Sequence, residues 1–150
     1  MSELKFRAFD EEFNAMYSGD QIESEDNLDA WLSYGELVTY RIDDGIYVQL
    51  ETLQYTGLKD KDGNEIYEGD IVRIFVENDP EEKEYISKVY KLVGAFAVDM
   101  VGYDISTDVH CIGWIPEDYS LQVIGNVHSN PELIKNLTKS LFERRMRNGF

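Results

Sequence analysis

The chain has 150 residues and a mass of 17.4 kDa, with 43% hydrophobic and 29% charged side chains, a size that holds one globular domain or two very small ones. Fourteen Lys and Arg against thirty Asp and Glu give a net charge of −16, which opposes direct binding to nucleic acid and adhesion to anionic membranes. No apolar run reaches the ~18 residues of a spanning helix, the single Cys111 excludes an intrachain disulfide, and the N-terminus shows no signal-peptide core, so the expected compartment is a reducing cytoplasm.

Glycines recur along the chain, and the segments between them are short and rich in Tyr, Val, Ile and Phe, which is the pattern of strands joined by turns. Strands are expected at Leu4 to Phe9, Glu36 to Arg41, Ile46 to Glu51, Ile71 to Val76, Ile86 to Val93, Ala95 to Val101, Val109 to Trp114 and Leu121 to Val127. In the third of these, Ile46, Val48 and Leu50 share one face while Tyr47, Gln49 and Glu51 share the other. The run Ile71 to Val76 is apolar on both faces except at Arg73, as in a strand buried from two sides or closed into a small barrel. A helical turn is expected over Ser24 to Leu32, where Leu28, Trp31 and Leu32 have i, i+3, i+4 spacing.

Between two strands, Leu58 to Ile66 reads as a hairpin. A two-residue Asp62-Gly63 loop opposes Asp60 to Glu65, two like charges. A three-residue loop, Lys61-Asp62-Gly63, instead pairs Lys59 with Glu65 and leaves Gly63 in the left-handed position such loops favour. Asp60, Asp62 and Asn64 alternate as early EF-hand ligands do, but the glycine comes too early and no bidentate Glu follows at the twelfth position, so no metal site is assigned. After the hairpin, Gly69 suits a positive φ and Asp70 an acceptor for a nearby backbone N–H at the strand entrance.

Near the end, Asn130 can cap and Pro131 fits a first helical position. Leu133, Ile134, Leu137 and Leu141 form an apolar stripe, so a helix is expected from Pro131 to Met146. Residues 131–150 carry a net +3 and residues 1–130 the remaining −19. The helix is thus a basic appendage on an acidic body, with arginines at its negative end or facing an acidic neighbour.

Three stretches carry a family likeness: Lys5-Phe6-Arg7-Ala8-Phe9-Asp10; Gln54-Tyr55-Thr56-Gly57-Leu58-Lys59-Asp60 through Glu68-Gly69-Asp70-Ile71-Val72; and Val123-Ile124-Gly125-Asn126-Val127-His128-Ser129-Asn130-Pro131-Glu132-Leu133. In this order and at both ends and the middle they resemble the YopX-like proteins of phages and prophages, with Phe9 where the family usually has Trp. The resemblance implies a mostly β protein with an SH3-like barrel in its C-terminal part, and it implies no particular activity.

Chemistry beyond the carboxylates rests on His110, His128 and Cys111. His110 and Cys111 are neighbours in an expected strand and point to opposite faces. Cys111 is read as a small core residue and His128 as an exposed turn residue. One Cys and two separated His do not make a zinc site, and no P-loop, H-E-x-x-H or G-x-S-x-G is present.

The fold expected is mainly β: an SH3-like small barrel in the C-terminal part (51–150), a smaller N-terminal β region (1–50) and one C-terminal α-helix. No catalytic, cofactor-binding or metal-binding residue is assigned. The function expected is a non-catalytic interaction or self-assembly module of phage origin in the cytoplasm of the bacterial host. Its partners are expected to be copies of itself or a host or phage protein, with no direct nucleic acid and no membrane. Two alternatives stand beside it: an acidic DNA mimic that inhibits a host nucleic-acid-binding protein, and an enzyme of unrecognised type.

Overall fold

The computed structural model describes residues 5–80, 84–92, 95–101 and 107–134, and its contacts divide the chain into two compact units, Met1–Gly57 and Leu58–Phe150. Its described residues are mainly β.

The first unit begins with β1 (Phe6–Asp10), which pairs antiparallel with β2 (Ala15–Tyr17) and with the start of β6 (Glu51–Lys59), setting Phe9 opposite Glu51. A short helix, α1 (Gly19–Ser24), follows. Ser18 and Gln21 form a capping box at its start, each side chain meeting the other's backbone N–H. Next comes a three-stranded antiparallel meander, β3 (Leu28–Ser33), β4 (Glu36–Asp43) and β5 (Ile46–Gln49). Its apolar centre is Ala8, Leu28 and Leu50, with Tyr17 and Ile22 packed against them.

The helical turn expected over Ser24 to Leu32 is corrected here. The helix lies earlier, and Leu28–Ser33 is a strand whose six residues all pair with β4. The i, i+3, i+4 spacing of Leu28, Trp31 and Leu32 is a coincidence of composition. The extended backbone buries Leu28 and sends Trp31 to the opposite, solvent face, and the pairing with β4 supplies the backbone bonds a single helical turn lacks.

The second unit opens with the hairpin of β6 and β7 (Glu65–Tyr67). The Asp60 N–H donates to the Asn64 carbonyl at 2.8 Å and Gly63 sits at φ +84°, so the loop has three residues, as the charge argument requires. Gly69 has φ +88° and Asp70 accepts the Tyr67 N–H at 2.8 Å, the arrangement expected at the strand entrance. Strand β8 (Asp70–Val76) is central to a three-stranded sheet between β13 (Tyr119–Asn126) and β9 (Glu84–Lys88). A second three-stranded sheet orders β10 (Tyr90–Leu92), β11 (Ala95–Val101) and β12 (Thr107–Cys111).

The single strand expected from Ile86 to Val93 is two strands broken at Val89. This residue exchanges backbone bonds with Gly69 and Asp70 and is 1% exposed, so the chain passes there from one sheet to the other. The two sheets share a core of Ile66, Val72, Ile74, Val89, Val98, Met100 and Ile112. The strand expected over Val109 to Trp114 ends at Cys111 and turns into a 3-10 helix, Ile112–Trp114, which buries Ile112.

At the C-terminal end of the described residues, the Asn130 carbonyl accepts the Leu133 N–H and the Pro131 carbonyl the Ile134 N–H, both at 3.2 Å, and the helix expected from Pro131 to Met146 falls mostly beyond this point. Residues 135–146 of that expectation, with their basic side chains, lie outside the described residues. Among the described residues no helix is long and apolar enough to cross a membrane.

Candidate functional site

Two tight turns fix the meander of the first unit. Tyr34-Gly35 and Asp44-Gly45 all have positive φ (52°, 83°, 47° and 80°), the signature of two-residue hairpin loops whose twist matches that of the strands. The resulting register sets Ser33 against Glu36, Trp31 against Val38, Asp29 against Tyr40 and Ile42 against Tyr47. Because side chains alternate, Asp29, Trp31, Val38, Tyr40, Ile42 and Tyr47 share one face while Leu28, Thr39 and Arg41 share the other.

The first face is open to solvent and aromatic. Trp31 stacks on Tyr40 with ring centroids 4.3 Å apart and planes 11° apart. Tyr47 meets Trp31 edge-on at 5.9 Å and Tyr40 at 6.0 Å. Tyr47 is 56% and Trp31 38% exposed while Tyr40 is half-buried, so two rings of an aromatic cluster of three face water. At one end of the meander, the hairpin tip displays Tyr34 fully exposed.

The opposite face is an ionic core. Arg41 is 1% exposed; its Nε donates to Asp10 Oδ2 at 2.6 Å, one terminal nitrogen to Glu12 at 3.0 Å, and the other to Asp43. The Phe13 ring lies 3.8 Å from the guanidinium carbon. Tyr17 donates its hydroxyl to Asp10 at 3.1 Å, and the Thr39 and Thr52 hydroxyls bond at 2.9 Å. Burial alone would raise the Asp10 carboxyl, but the Arg41 guanidinium, the Phe13 N–H and the Tyr17 hydroxyl hold it below its ordinary value. Burial and the Asp10 charge push the Tyr17 hydroxyl up.

The ionic core matters to the aromatic face because it consumes the local positive charge. Residues 18–51 hold nine carboxylates and one cation, Arg41, whose guanidinium is turned to the buried side. The rings therefore lie on an acidic surface, with Asp29 directly across from Tyr40 on the same face.

The residues weighed from sequence fall elsewhere. Asp60 is buried and its carboxylate is filled with donors: Oδ1 accepts the N–H groups of Asp62 and Asn64, both at 2.9 Å, and Oδ2 accepts the Val123 N–H at 2.9 Å and the Asn64 amide at 3.3 Å. Burial works against the charge, but these donors keep the carboxyl below its ordinary value. It fastens the hairpin tip to β13. Cys111 is exposed at the end of an edge strand, which corrects its reading as a core residue: the apolar contacts expected of it are made by the following Ile112. His110 is half-buried beside it, and His128, read as exposed, is also half-buried in the turn that Asn126 organises by accepting the His128 and Ser129 N–H groups. A cleft of about 710 Å³ in the second unit is charge-compensated: Arg73 pairs with Glu84 while lying over Phe75, and Lys61 pairs with Glu77 at 3.3 Å.

Residues 5–135 match the YopX protein family, and the chain belongs to it. It is 35% identical over 75 residues to the SPbeta prophage-derived uncharacterized protein YopX of Bacillus subtilis (strain 168), a stretch that covers 50% of this chain and 54% of that protein. The chain thus spans about half the length of the curated relative it matches. The fold is similar to the crystal structure of protein yopX from Bacillus subtilis, with a TM-score of 0.57 and 26% identity over 89% of this chain and 98% of that one. It is also similar to the crystal structure of protein EF1440 from Enterococcus faecalis, with a TM-score of 0.53 and 24% identity over 89% of this chain and 99% of that one.

Proposed function

We propose that this chain is a phage-encoded, non-catalytic interaction module, acting in the cytoplasm of a bacterial host by contacting another protein through the aromatic face of β3, β4 and β5. The observation that carries this reading is the ring cluster of exposed Trp31 and Tyr47 with half-buried Tyr40: large amphipathic rings packed together on a sheet are the residues that dominate protein interfaces, and here two of the three are open to water. The prophage relative supports the phage origin. The strands after residue 51 are read as an SH3-like small barrel, a reading supported by two three-stranded sheets that share one apolar core and are joined at Val89.

The test is affinity capture from host lysate, with and without phage induction, at about 0.15 M salt, where exposed charges more than ~8 Å apart are screened. Wild-type chain is compared with a Tyr40→Ala/Tyr47→Ala variant. A protein retained by the wild type and lost by the variant is the expected result. A partner that is indifferent to the rings but leaves as salt is raised refutes the aromatic reading in favour of charge mimicry of nucleic acid.

A further inference from the structure

Resting on the aromatic face as the contact surface, we infer that its partner presents arginine: the Trp31, Tyr40 and Tyr47 face docks an arginine-bearing segment of another protein, whose guanidinium stacks on the rings and bonds to Asp29.

Three features of the face converge on that chemistry. The first is ring geometry. Trp31 and Tyr40 are stacked nearly parallel, and Tyr47 stands tilted beside them at 54° to Tyr40, so the cluster offers both a flat ring face on the outside of the stack and a side wall. A planar, weakly hydrated guanidinium stacks on such faces better than a compact ammonium does. The second is the carboxylate. Asp29 is directly cross-strand from Tyr40 and exposed, and such pairs have their Cβ atoms about 5 Å apart; its Oδ1 accepts the Ala30 N–H at 2.8 Å, so a guanidinium over Tyr40 is within reach of a charge-assisted bond to its Oδ2. The third is charge sign: with nine carboxylates and one buried cation in residues 18–51, an acidic or neutral partner gains nothing electrostatically while a cationic one is steered in. The same pairing already occurs twice inside this molecule, where Arg41 lies 3.8 Å from the Phe13 ring centre and Arg73 3.8 Å from that of Phe75, in each case with a carboxylate closing the guanidinium edge.

The probe is a fluorescein-labelled octa-arginine peptide, with octa-lysine for comparison, titrated into the full chain at about 0.15 M salt and followed by anisotropy. Octa-arginine is expected to bind saturably and more tightly than octa-lysine. Tyr40→Ala and Tyr47→Ala, which leave the net charge unchanged, each weaken it about tenfold. Tyr47→Phe retains binding because it keeps the ring, and Asp29→Asn narrows the preference for arginine over lysine. Thermal melts confirm that each variant is folded; Tyr47, more than half exposed, is the safest of the positions.

Equal affinity for the two peptides, unmoved by Tyr47→Ala, overturns the inference, because it shows attraction to the acidic surface alone. A dimer in light scattering that Tyr47→Ala dissolves overturns it too, since a second copy then covers the rings. If a captured lysate protein depends on Tyr47 but octa-arginine does not compete with it, the interaction face stands and only the arginine chemistry falls. If no captured protein depends on Tyr47, the face itself is refuted.

Discussion

Asp60 offers a sharp test of how the second unit is held together. Its four donors come from the hairpin tip (Asp62, Asn64 twice) and from mid-strand Val123 in β13. Asp60→Asn is nearly isosteric, and an acceptor oxygen at the Oδ1 position still serves Asp62 and Asn64. The new NH2 then faces the Val123 N–H and the Asn64 amide, donor against donor. Hydrogen bonds to a charged group contribute about 1.5–3 kcal/mol each, and a buried N–H left unmet costs about 1–3 kcal/mol. Because the tip is open to water and recovers part of this loss, the expected destabilisation is about 3 kcal/mol, a fall in Tm of roughly 6–12 °C for a chain of this size.

The pH dependence has a definite sign. The folded carboxyl is held below its unfolded value, so its stabilisation is present in full above about pH 4 and is lost as pH falls through the lowered folded value. Asp60→Asn should therefore lower Tm at neutral pH and flatten its fall in acid. Differential scanning calorimetry from pH 7 to pH 2.5 or so reads both effects. An unchanged Tm at neutral pH would refute the clamp, and a wild-type Tm that rises with millimolar Ca²⁺ would show instead that the carboxylate binds metal.

Other substitutions probe separate parts of the account. A Cβ on Gly125 meets the Asn130 side-chain oxygen at 2.5 Å, and that oxygen accepts the Asn126 N–H; Gly125→Ala should displace it and cost about 1–2 kcal/mol in a urea melt, and no loss would show that the turn adjusts freely. Tyr34 is a bulky residue at φ 52° with its side chain in water, so Tyr34→Asn should gain about 0.5–1 kcal/mol by calorimetry; a loss would show that the ring contributes to folding. Tyr90 donates to Asp99 at 2.6 Å and its hydroxyl is pushed up to about 12, by that bond and by burial. The stabilisation it supplies is present below pH ~10 and lost as pH rises through about 12. Tyr90→Phe should remove one late step from the ultraviolet titration of the tyrosines, and an unaltered titration curve would contradict the assigned bond.

What the sequence reveals follows from where the physics is local. The apolar run Ile71 to Val76 announces β8 because a central strand is buried along most of its length, with Arg73 the position that meets the cleft, and like-charge repulsion between Asp60 and Glu65 selects the hairpin loop without any tertiary information. The Gly69-Asp70 turn is legible for the same reason. Strand β3 is not, because Leu28, Trp31 and Leu32 satisfy a helical spacing that only pairing with β4 overrules.

The aromatic face is also hidden: Trp31, Tyr40 and Tyr47 come from three strands, with no period to connect them. The signal available is turn chemistry. Reading Tyr34-Gly35 and Asp44-Gly45 as two-residue loops sets Trp31 opposite Val38 and Ile42 opposite Tyr47, which gathers the rings on one face. The ionic core has a fainter signal, a single arginine within a long acidic stretch, since one cation among nine carboxylates is the residue most readily buried with partners. Cys111 misleads because its apolar neighbourhood in sequence belongs to Ile112 in space.

The most direct measurement of the central claim is residue-resolved: amide chemical-shift mapping of the isotopically labelled full chain titrated with octa-arginine. The account predicts saturable shifts concentrated on β3, β4 and β5 around Asp29, Trp31, Tyr40 and Tyr47, absent from the Tyr40→Ala/Tyr47→Ala variant. Shifts that instead scatter over the acidic surface, or that persist unchanged when the rings are removed, would contradict it.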